Sequence, residues 1–187
     1  CYAVDGENPY HCIFGGENCY IVHPSDTAPA LVALEAMVTI AGPKGERTLA
    51  VGDFHVPPSQ DPTRETVLDA EEIVTEIILP PPKAGLLSAY RKVRARRSWD
   101  FALAGVALAI VLNGDRVAHC RVVLSGAAPV PWRFGEAEAV IQGRRLNGDT
   151  VSKAVAEVAK NAEPMTQNGY KIPLFQGLLE QELMAMA

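Results

Sequence analysis

The chain has 187 residues, of which 48% are hydrophobic and 21% charged, and its formal net charge at pH 7 is -5. This length is sufficient for one large or two small domains with hydrophobic cores. The negative charge argues against nucleic acid as the main partner, because phosphate binding requires a basic face. The longest apolar run, Phe101 to Leu112, is too short to span a bilayer. The sequence is compatible with either a cytoplasmic or a periplasmic location.

The segment after residue 18 predicts a strand followed by a capped helix. Cys19 to Val22 is a short apolar run, which Pro24 ends. Ser25 or Asp26 can then cap the N-terminus of a helix that extends to Glu35.

A hairpin and a further strand are predicted next. Met37 to Ile40 and Arg47 to Val51 flank the turn sequence GPKG. Glu72 to Leu79 is rich in β-branched residues and predicts a strand that stops at the triple proline Pro80 to Pro82. We place the domain boundary there, which gives a first domain over residues 1–82 and a second over residues 83–187.

The second domain begins with a predicted antiparallel meander. Its three strands are predicted over Leu86 to Val93, Phe101 to Leu112 and Val117 to Leu124. The sequence Asn-Gly-Asp between the last two strands predicts a type I′ hairpin.

Helices follow the meander and complete an α+β fold. They are predicted over Gly135 to Gln142, over a segment capped by Asp149 or Thr150, and over Leu174 to Met186.

Three of the four cysteines lie within the first 19 residues, among glycine-rich turns. Cys1, Cys12 and Cys19 therefore occupy a loop suited to wrapping an inorganic cluster, although their spacing fits no zinc-finger or ferredoxin pattern. Free or structural cysteines are the alternative. Cys120 lies in an alternating strand pattern and is expected in the core. A chain that begins at cysteine without an initiator Met is expected to be a piece of a longer protein.

Four segments, taken in order, resemble one protein family. They are HPSDTAPALVALEAMVTIAGPKGERT, EEIVTEIILP, SAYRKVRARRSWDFALAGVALAI and CRVVLSGAAPVPWRFGEAEAVIQG. In order and spacing they resemble the FAD-binding medium subunit of the xanthine dehydrogenase and carbon monoxide dehydrogenase family of molybdenum hydroxylases. The resemblance implies the second half of a PCMH-type FAD-binding domain, followed by a C-terminal domain with a three-stranded antiparallel sheet and helices.

The resemblance implies electron transfer. FAD in this family accepts electrons from iron-sulfur centres and passes them to an external acceptor, while an aldehyde or related substrate is oxidised at molybdenum on another chain. The implied partners are a molybdopterin-binding large subunit, a 2Fe-2S small subunit and the N-terminal part of the same flavoprotein. The alternatives are a 4-hydroxybenzoyl-CoA reductase-type flavin and 4Fe-4S subunit, a stand-alone flavin oxidase of related fold, and a non-enzymatic interaction domain.

The resemblance also assigns cofactor-binding residues. GENPYHCIFGGENCYIVHPSD is similar to the aldehyde oxidoreductase type that carries a 4Fe-4S cluster, with Cys1 and Cys19 at ligand positions and Cys12 at a non-ligand position. Asp26 matches a carboxylate that binds the ribityl or adenosine portion of FAD, although it could equally cap the helix.

Two further flavin contacts follow from the same resemblance. Val74 matches an apolar residue near the flavin ring, although a strand core position would look identical. Lys92 matches a lysine beside the ring, where a cation would stabilise the charge of a reduced flavin. If Leu86 to Arg94 is a strand, alternation places Tyr90 on the same face as Lys92.

The run from Arg91 to Arg97 is basic in an acidic chain. A solvated edge strand, protected by its charges from pairing with other chains, explains it most simply. A docking face for a partner subunit or an acidic electron acceptor is the alternative. The loop over Arg96 to Asp100 corresponds to a mobile loop near the flavin in the NAD-reducing members of the family.

Overall fold

The computed structural model describes residues 1–187. The first 26 residues form turns and loops without a helix or strand. Four helices and seven strands follow. They are α1 (Thr27–Ala33), β1 (Met37–Gly42), β2 (Gly45–Ala50), β3 (Ile73–Ile78), β4 (Leu86–Val93), β5 (Ala104–Asn113), β6 (Arg116–Ser125), β7 (Trp132–Arg133), α2 (Gly135–Ile141), α3 (Gly148–Asn161) and α4 (Lys171–Ala185). None of the helices is long and apolar enough to cross a membrane.

The strands form two antiparallel sheets, which confirms the predicted mixed fold. The smaller sheet has the order β2-β1-β3, and the larger has the order β4-β5-β6-β7. The three strands predicted for the larger sheet are present. Strand β7 adds a two-residue fourth strand at its edge, where Leu124 pairs with Trp132.

The two faces of β5 contribute to different cores, because successive side chains of a strand point to opposite sides. Val106, Leu108 and Ile110 belong to the larger core of 23 buried residues, which includes side chains of α2, α3 and α4. Ala107 and Ala109 belong to the smaller core of eight buried residues, together with side chains of α1 and β1. The small alanine side chains leave room for α1 to approach the larger sheet closely.

The strand predicted over Cys19 to Val22 is wrong. The backbone of this segment makes isolated hydrogen bonds instead of the regular series that a strand makes with its neighbour. Cys12 N donates to Tyr20 O at 2.9 Å, and His23 N, just after the segment, donates to Ala128 O at 2.9 Å. The segment therefore runs between loops, and no neighbouring strand is available to pair with it.

Several boundaries also differ from the prediction, and two of them have a clear structural reason. Helix α1 ends at Ala33, and Glu35 has a φ of 57°, which is incompatible with continuing the helix. Strand β5 begins at Ala104, because residues 101–103 leave the sheet and Phe101 is exposed.

The turn between β5 and β6 and the N-terminal cap of α3 both differ from their predictions. Of the two residues that join β5 to β6, only Gly114 has a positive φ, at 62°, which is the pattern of a type II′ turn and not of type I′. Helix α3 is capped by Asn147, whose side chain accepts a hydrogen bond from Thr150 N at 3.0 Å. Asp149 and Thr150 both lie inside the helix.

Candidate functional site

At the N-terminus of α1, Ser25 caps the helix, whereas Asp26 is the residue predicted to bind a ligand. Ser25 Oγ accepts a hydrogen bond from Ala28 N at 3.0 Å and so satisfies one of the unpaired donors of the first turn. Asp26 makes no capping hydrogen bond with its side chain. The Asp26 carboxylate is therefore available for other contacts.

Strand β4 supplies two partners for that carboxylate. Tyr90 Oη donates to Asp26 Oδ1 at 2.8 Å, and Lys92 Nζ donates to Asp26 Oδ2. Lys92 Nζ also donates to Asp100 O at 3.0 Å. Tyr90 and Lys92 thus share one face of β4, as their alternation predicts. We call Asp26, Tyr90 and Lys92 the carboxylate cluster.

The cluster holds Asp26 in its charged form. Partial burial opposes ionisation, but the hydrogen bonds from Lys92 and Tyr90 and the charges of Lys92 and Arg94 outweigh it and lower the pKa of Asp26. Burial raises the pKa of Tyr90 to about 12, and the neighbouring Asp26 adds to this effect. At neutral pH the cluster is therefore a carboxylate held by an ammonium group and a neutral phenol.

A cavity of about 430 Å³ lies beside the carboxylate cluster. Asp26 lines it, together with the 23–25 segment, the loop after β4 and the end of β6. Besides Asp26, the polar and charged side chains of its wall are those of Tyr10, His23, Ser25, Arg96, Asp100 and Ser125. A cavity of this volume, with a few polar groups on mostly apolar walls, is typical of a site for a small organic ligand or part of a larger one.

Val74 lies in a different cavity. It lines a space of about 260 Å³ between α1 and the smaller sheet, together with Val38, Phe54 and His55. His23 lines both this space and the cavity beside Asp26. The structure therefore brings Asp26 and Lys92 into direct contact and places Val74 in an adjoining pocket.

Two histidines pack against each other at the junction of these cavities. The rings of His23 and His55 are 4.6 Å apart, edge to face. Burial lowers the pKa of both, and that of His55 falls to about 4 because a second imidazole also lies beside it. The pair is therefore neutral at pH 7. Sequence reasoning missed this contact, since the histidines are 32 positions apart along the chain and no motif joins them.

The N-terminal cysteines do not form a complete metal site. Cys1 is exposed, Cys12 is buried and Cys19 is partly buried, and all of them are free thiols. No group of three His, Cys, Asp or Glu side chains converges anywhere in the chain. Burial raises the pKa of Cys12 to about 12, so it is a thiol at neutral pH, and a metal ligand would have to be a thiolate.

Side chains near the start of α4 hold the cysteine loop, which we define as residues 8–20. Lys171 Nζ is fully buried and donates to Tyr10 O at 2.9 Å and to Gly126 O at 2.8 Å. Asn168 Nδ2 donates to His11 O at 3.1 Å and to Cys12 O at 3.0 Å.

Residues 166–170, just before α4, contact the beginning of the cysteine loop. Asn8 Oδ1 accepts from Gln167 N at 2.9 Å, Asn8 Nδ2 donates to Thr166 Oγ1 at 3.0 Å, and Tyr170 Oη donates to Pro9 O at 2.9 Å. We call this set of contacts from residues 166–171 the polar clasp. Sequence reasoning missed the clasp; the signal that could have indicated it is that a lysine among apolar helix residues requires buried acceptors.

Cys120 behaves as predicted. It is 1% exposed, and its Sγ donates to Glu138 O at 3.6 Å inside the larger core. Burial raises the pKa of its thiol to about 11. This cysteine therefore has a packing role.

Two family models account for nearly the whole chain. Residues 13–82 match the FAD binding domain in molybdopterin dehydrogenase, and residues 88–184 match the CO dehydrogenase flavoprotein C-terminal domain. The chain belongs to the FAD-binding medium subunits of the xanthine dehydrogenase and CO dehydrogenase family of molybdenum hydroxylases.

Individual relatives agree with this assignment. The chain is 37% identical, over 98% of its length, to the aldehyde oxidoreductase FAD-binding subunit PaoB of Escherichia coli, and it covers 55% of that protein. It is 31% identical, over 76% of its length, to the carbon monoxide dehydrogenase medium chain of Hydrogenophaga pseudoflava, covering 48% of that protein. These relatives are oxidoreductase subunits, and the chain spans about half their length.

Solved structures show the same fold. A carbon monoxide dehydrogenase from Hydrogenophaga pseudoflava, in a form that lacks the Mo-pyranopterin moiety of its cofactor, superposes with a TM-score of 0.73 and 27% identity, over 85% of this chain and 56% of that chain. Quinoline 2-oxidoreductase from Pseudomonas putida 86 has a TM-score of 0.70 and 19% identity, over 95% of this chain and 58% of that chain.

Proposed function

We propose that the chain forms one wall of the flavin site in a molybdenum hydroxylase and takes part in electron transfer from iron-sulfur centres through FAD to an external acceptor. The carboxylate cluster at the edge of the 430 Å³ cavity is the observation that carries this proposal. FAD, when bound, supplies a carrier that exchanges both one and two electrons. The residues present fit such a group, because they offer a charged acceptor, a fixed cation and an apolar wall.

Each member of the cluster has a distinct role in this proposal. Asp26, charged at neutral pH, accepts hydrogen bonds from hydroxyl groups of the ligand, which are stronger to a carboxylate than to a neutral oxygen. Lys92 holds a positive charge next to the cavity and so favours any ligand state that gains negative charge. Tyr90 positions the Asp26 carboxylate by its 2.8 Å hydrogen bond.

We propose that substrate oxidation takes place on a partner. The relatives named above as FAD-binding subunit and medium chain are components of aldehyde oxidoreductase and carbon monoxide dehydrogenase. By analogy, a molybdopterin-binding large subunit and a 2Fe-2S small subunit would accompany this chain, and the substrate would be an aldehyde or a related compound. In this proposal the chain itself binds no organic substrate.

The visible spectrum and subunit composition of the native complex test this proposal. A flavin absorption band, together with a molybdopterin-containing chain, is the expected result. Lys92→Met should lower the midpoint potential of that flavin, because it removes the cation beside the cavity. Lys83→Met is the matched control, since Lys83 also forms an ion pair, with Glu35 at 3.0 Å, but lies outside this cavity. A colourless complex, or equal potentials in both variants, would contradict the proposal.

A 4Fe-4S cluster ligated by Cys1 and Cys19 is a separate proposal. Its support is the resemblance of the N-terminal segment to the aldehyde oxidoreductase type and the position of Cys19, a partly exposed free thiol in a loop. The chain supplies too few converging donors to complete such a site, so further ligands would have to come from elsewhere.

Electron paramagnetic resonance of the reduced complex tests the cluster. Cys19→Ser should alter or abolish a 4Fe-4S signal, whereas the buried Cys12→Ser should leave its line shape unchanged. An unchanged signal in Cys19→Ser would remove Cys19 from the ligand set.

A further inference from the structure

We infer that the loop after β4, residues 94–101, is a docking surface for an acidic protein. We call this segment the arginine loop. The inference goes beyond the proposed function because it concerns the part of this loop that does not line the flavin cavity, and a partner that is recognised by its charge.

The first observation is an aromatic side chain in solvent. Trp99 is 94% exposed, and Phe101, two residues later, is 69% exposed. Trp99 takes part in none of the aromatic pairs of the chain and lines none of the five main cavities. A tryptophan without an internal contact contributes nothing to folding in this position, and tryptophan and arginine are the residues most enriched among those that dominate protein interfaces.

The second observation is the charge around Trp99. Arg94 and Arg97 have no ion-pair partner, whereas Arg91 pairs with Glu182 at 3.5 Å and Arg96 with Asp100 at 3.3 Å. The loop is therefore locally basic on a chain whose net charge is -5. A basic patch of this kind accelerates the association of an acidic partner and disfavours a basic one.

The third observation is that the arginine loop has a defined shape. Arg94 Nη1 donates to Ser98 O at 3.3 Å, and Phe101 N donates to Asp100 Oδ1 at 2.9 Å. Lys92 Nζ binds the carbonyl of Asp100 at 3.0 Å and so fastens the end of the loop to the carboxylate cluster. The tryptophan is thus presented on an ordered turn, which reduces the entropy that a partner must overcome on binding.

The fourth observation is that part of the arginine loop borders the flavin cavity. Ala95, Arg96, Asp100 and Phe101 line the 430 Å³ cavity, while Trp99 does not. The loop has one side towards the cavity and its tryptophan outside it. A partner bound to Trp99 and the unpaired arginines would therefore lie against the wall of the cavity.

A protein explains this surface better than a nucleotide does. A nucleotide would be expected to bind an aromatic ring that forms the wall of a pocket, with cations converging on its phosphates. Trp99 instead is 94% exposed and lines none of the five main cavities, and an exposed tryptophan that follows Arg96 and Arg97 in the chain is typical of the residues that dominate protein interfaces.

Binding of two haem proteins of opposite charge to the native complex tests the inference. Acidic cytochrome b5 is expected to bind the immobilised complex with an association rate that falls steeply as salt is added, and basic cytochrome c is expected not to bind. Arg97→Glu and Trp99→Ala should each weaken cytochrome b5 binding about tenfold or more. Arg144→Glu is the matched control, because Arg144 is also exposed and unpaired but lies in the turn after α2.

The outcomes separate this inference from the proposed function. Loss of binding in the two loop variants, with the control unchanged and the flavin absorption band retained, supports the docking surface. Absence of cytochrome b5 binding to the unaltered complex, or equal binding by all variants, overturns it. Weaker binding of NAD in the loop variants, without an effect on cytochrome b5, overturns it in favour of a nucleotide site. Loss of the flavin band bears on the proposed function instead.

Discussion

The cysteine loop and the carboxylate cluster both depend on polar contacts between distant parts of the chain, but they differ in what those contacts leave available. At the cysteine loop, Lys171 and Asn168 of the polar clasp donate hydrogen bonds to backbone carbonyls, and both residues are fully buried. In the cluster, the side chain of Asp26 is 47% exposed and borders a cavity. The backbone carbonyls that Lys171 and Asn168 bind are thus closed to further ligands, whereas the carboxylate cluster can bind one.

The difference shows how polar groups can be assigned to folding or to binding. Buried polar groups that satisfy each other fix an irregular segment in place, and their loss leaves unpaired partners in the interior. Partly exposed charges contribute little to stability because water screens them. A partly exposed charge pair at the edge of a cavity is therefore better explained by ligand binding.

The largest expected effect is on the polar clasp. Lys171→Met leaves the carbonyls of Tyr10 and Gly126 without their donor, and should lower the free energy of unfolding by about 2–4 kcal/mol. Urea denaturation measures it. Lys153→Met, on the exposed side of α3, should have little effect. Equal stabilities of the two variants would show that the clasp does not stabilise the fold.

The next effect concerns Gly126, whose carbonyl accepts a hydrogen bond from Lys171 Nζ. Gly126 has a φ of +69°, and a Cβ there would lie 2.7 Å from Ala102 O. Gly126→Ala should therefore cost about 2–3 kcal/mol, from the left-handed conformation and the contact together. Gly114→Ala has the same type of φ but no atom within 4 Å, and should cost about 1 kcal/mol. Similar thermal unfolding midpoints for the two would contradict the close packing at Gly126.

A smaller effect appears with pH at the histidine pair. The pKa of His55 falls from 6.5 to about 4 on folding, so the unfolded state binds more protons between these values. Stability should thus decrease as the pH falls through this range, by about 2 kcal/mol after allowance for partial exposure, and His23 acts in the same direction. His55→Phe should flatten this dependence in urea titrations at pH 4.5 and 7. Parallel curves for both proteins would refute the assignment.

The smallest stability effect is expected at the carboxylate cluster. Asp26→Asn keeps an acceptor for Tyr90 but removes the charge that binds Lys92. Because the pair is partly exposed, the free energy of unfolding should fall by about 1 kcal/mol or less. Urea denaturation beside Lys171→Met provides the comparison. A loss as large as that of the clasp variant would show that Asp26 is mainly structural.

The sequence predicts the regular elements well where hydrophobic periodicity is strong. Strand β6 and helix α2 are found close to their expected bounds, because each buries a regular set of apolar side chains. Strand β4 also has its expected bounds, although its side chains are exposed or only partly buried. The position of Tyr90 and Lys92 on the same face of β4 was also predictable, since it follows from strand alternation.

The sequence does not predict contacts that depend on tertiary structure. The clasp joins Asn8 to Thr166 and Lys171 to Tyr10 across more than 150 positions, and no local pattern encodes such pairs. The capping role of Asn147 was missed because three neighbouring residues can all cap a helix, and only the backbone conformation selects one. For Val74, the strand position is as expected, but its separation from Asp26 depends on how α1 packs on the smaller sheet.

The affinity of the cluster for FAD tests the central claim most directly. Titration of flavin-depleted native complex with FAD, followed by flavin fluorescence, should show binding about tenfold or more weaker for Asp26→Asn than for the unaltered protein. The control Lys83→Met, which disrupts the ion pair with Glu35, should bind FAD normally. Equal FAD affinity for Asp26→Asn and the unaltered protein would contradict a flavin site at the carboxylate cluster.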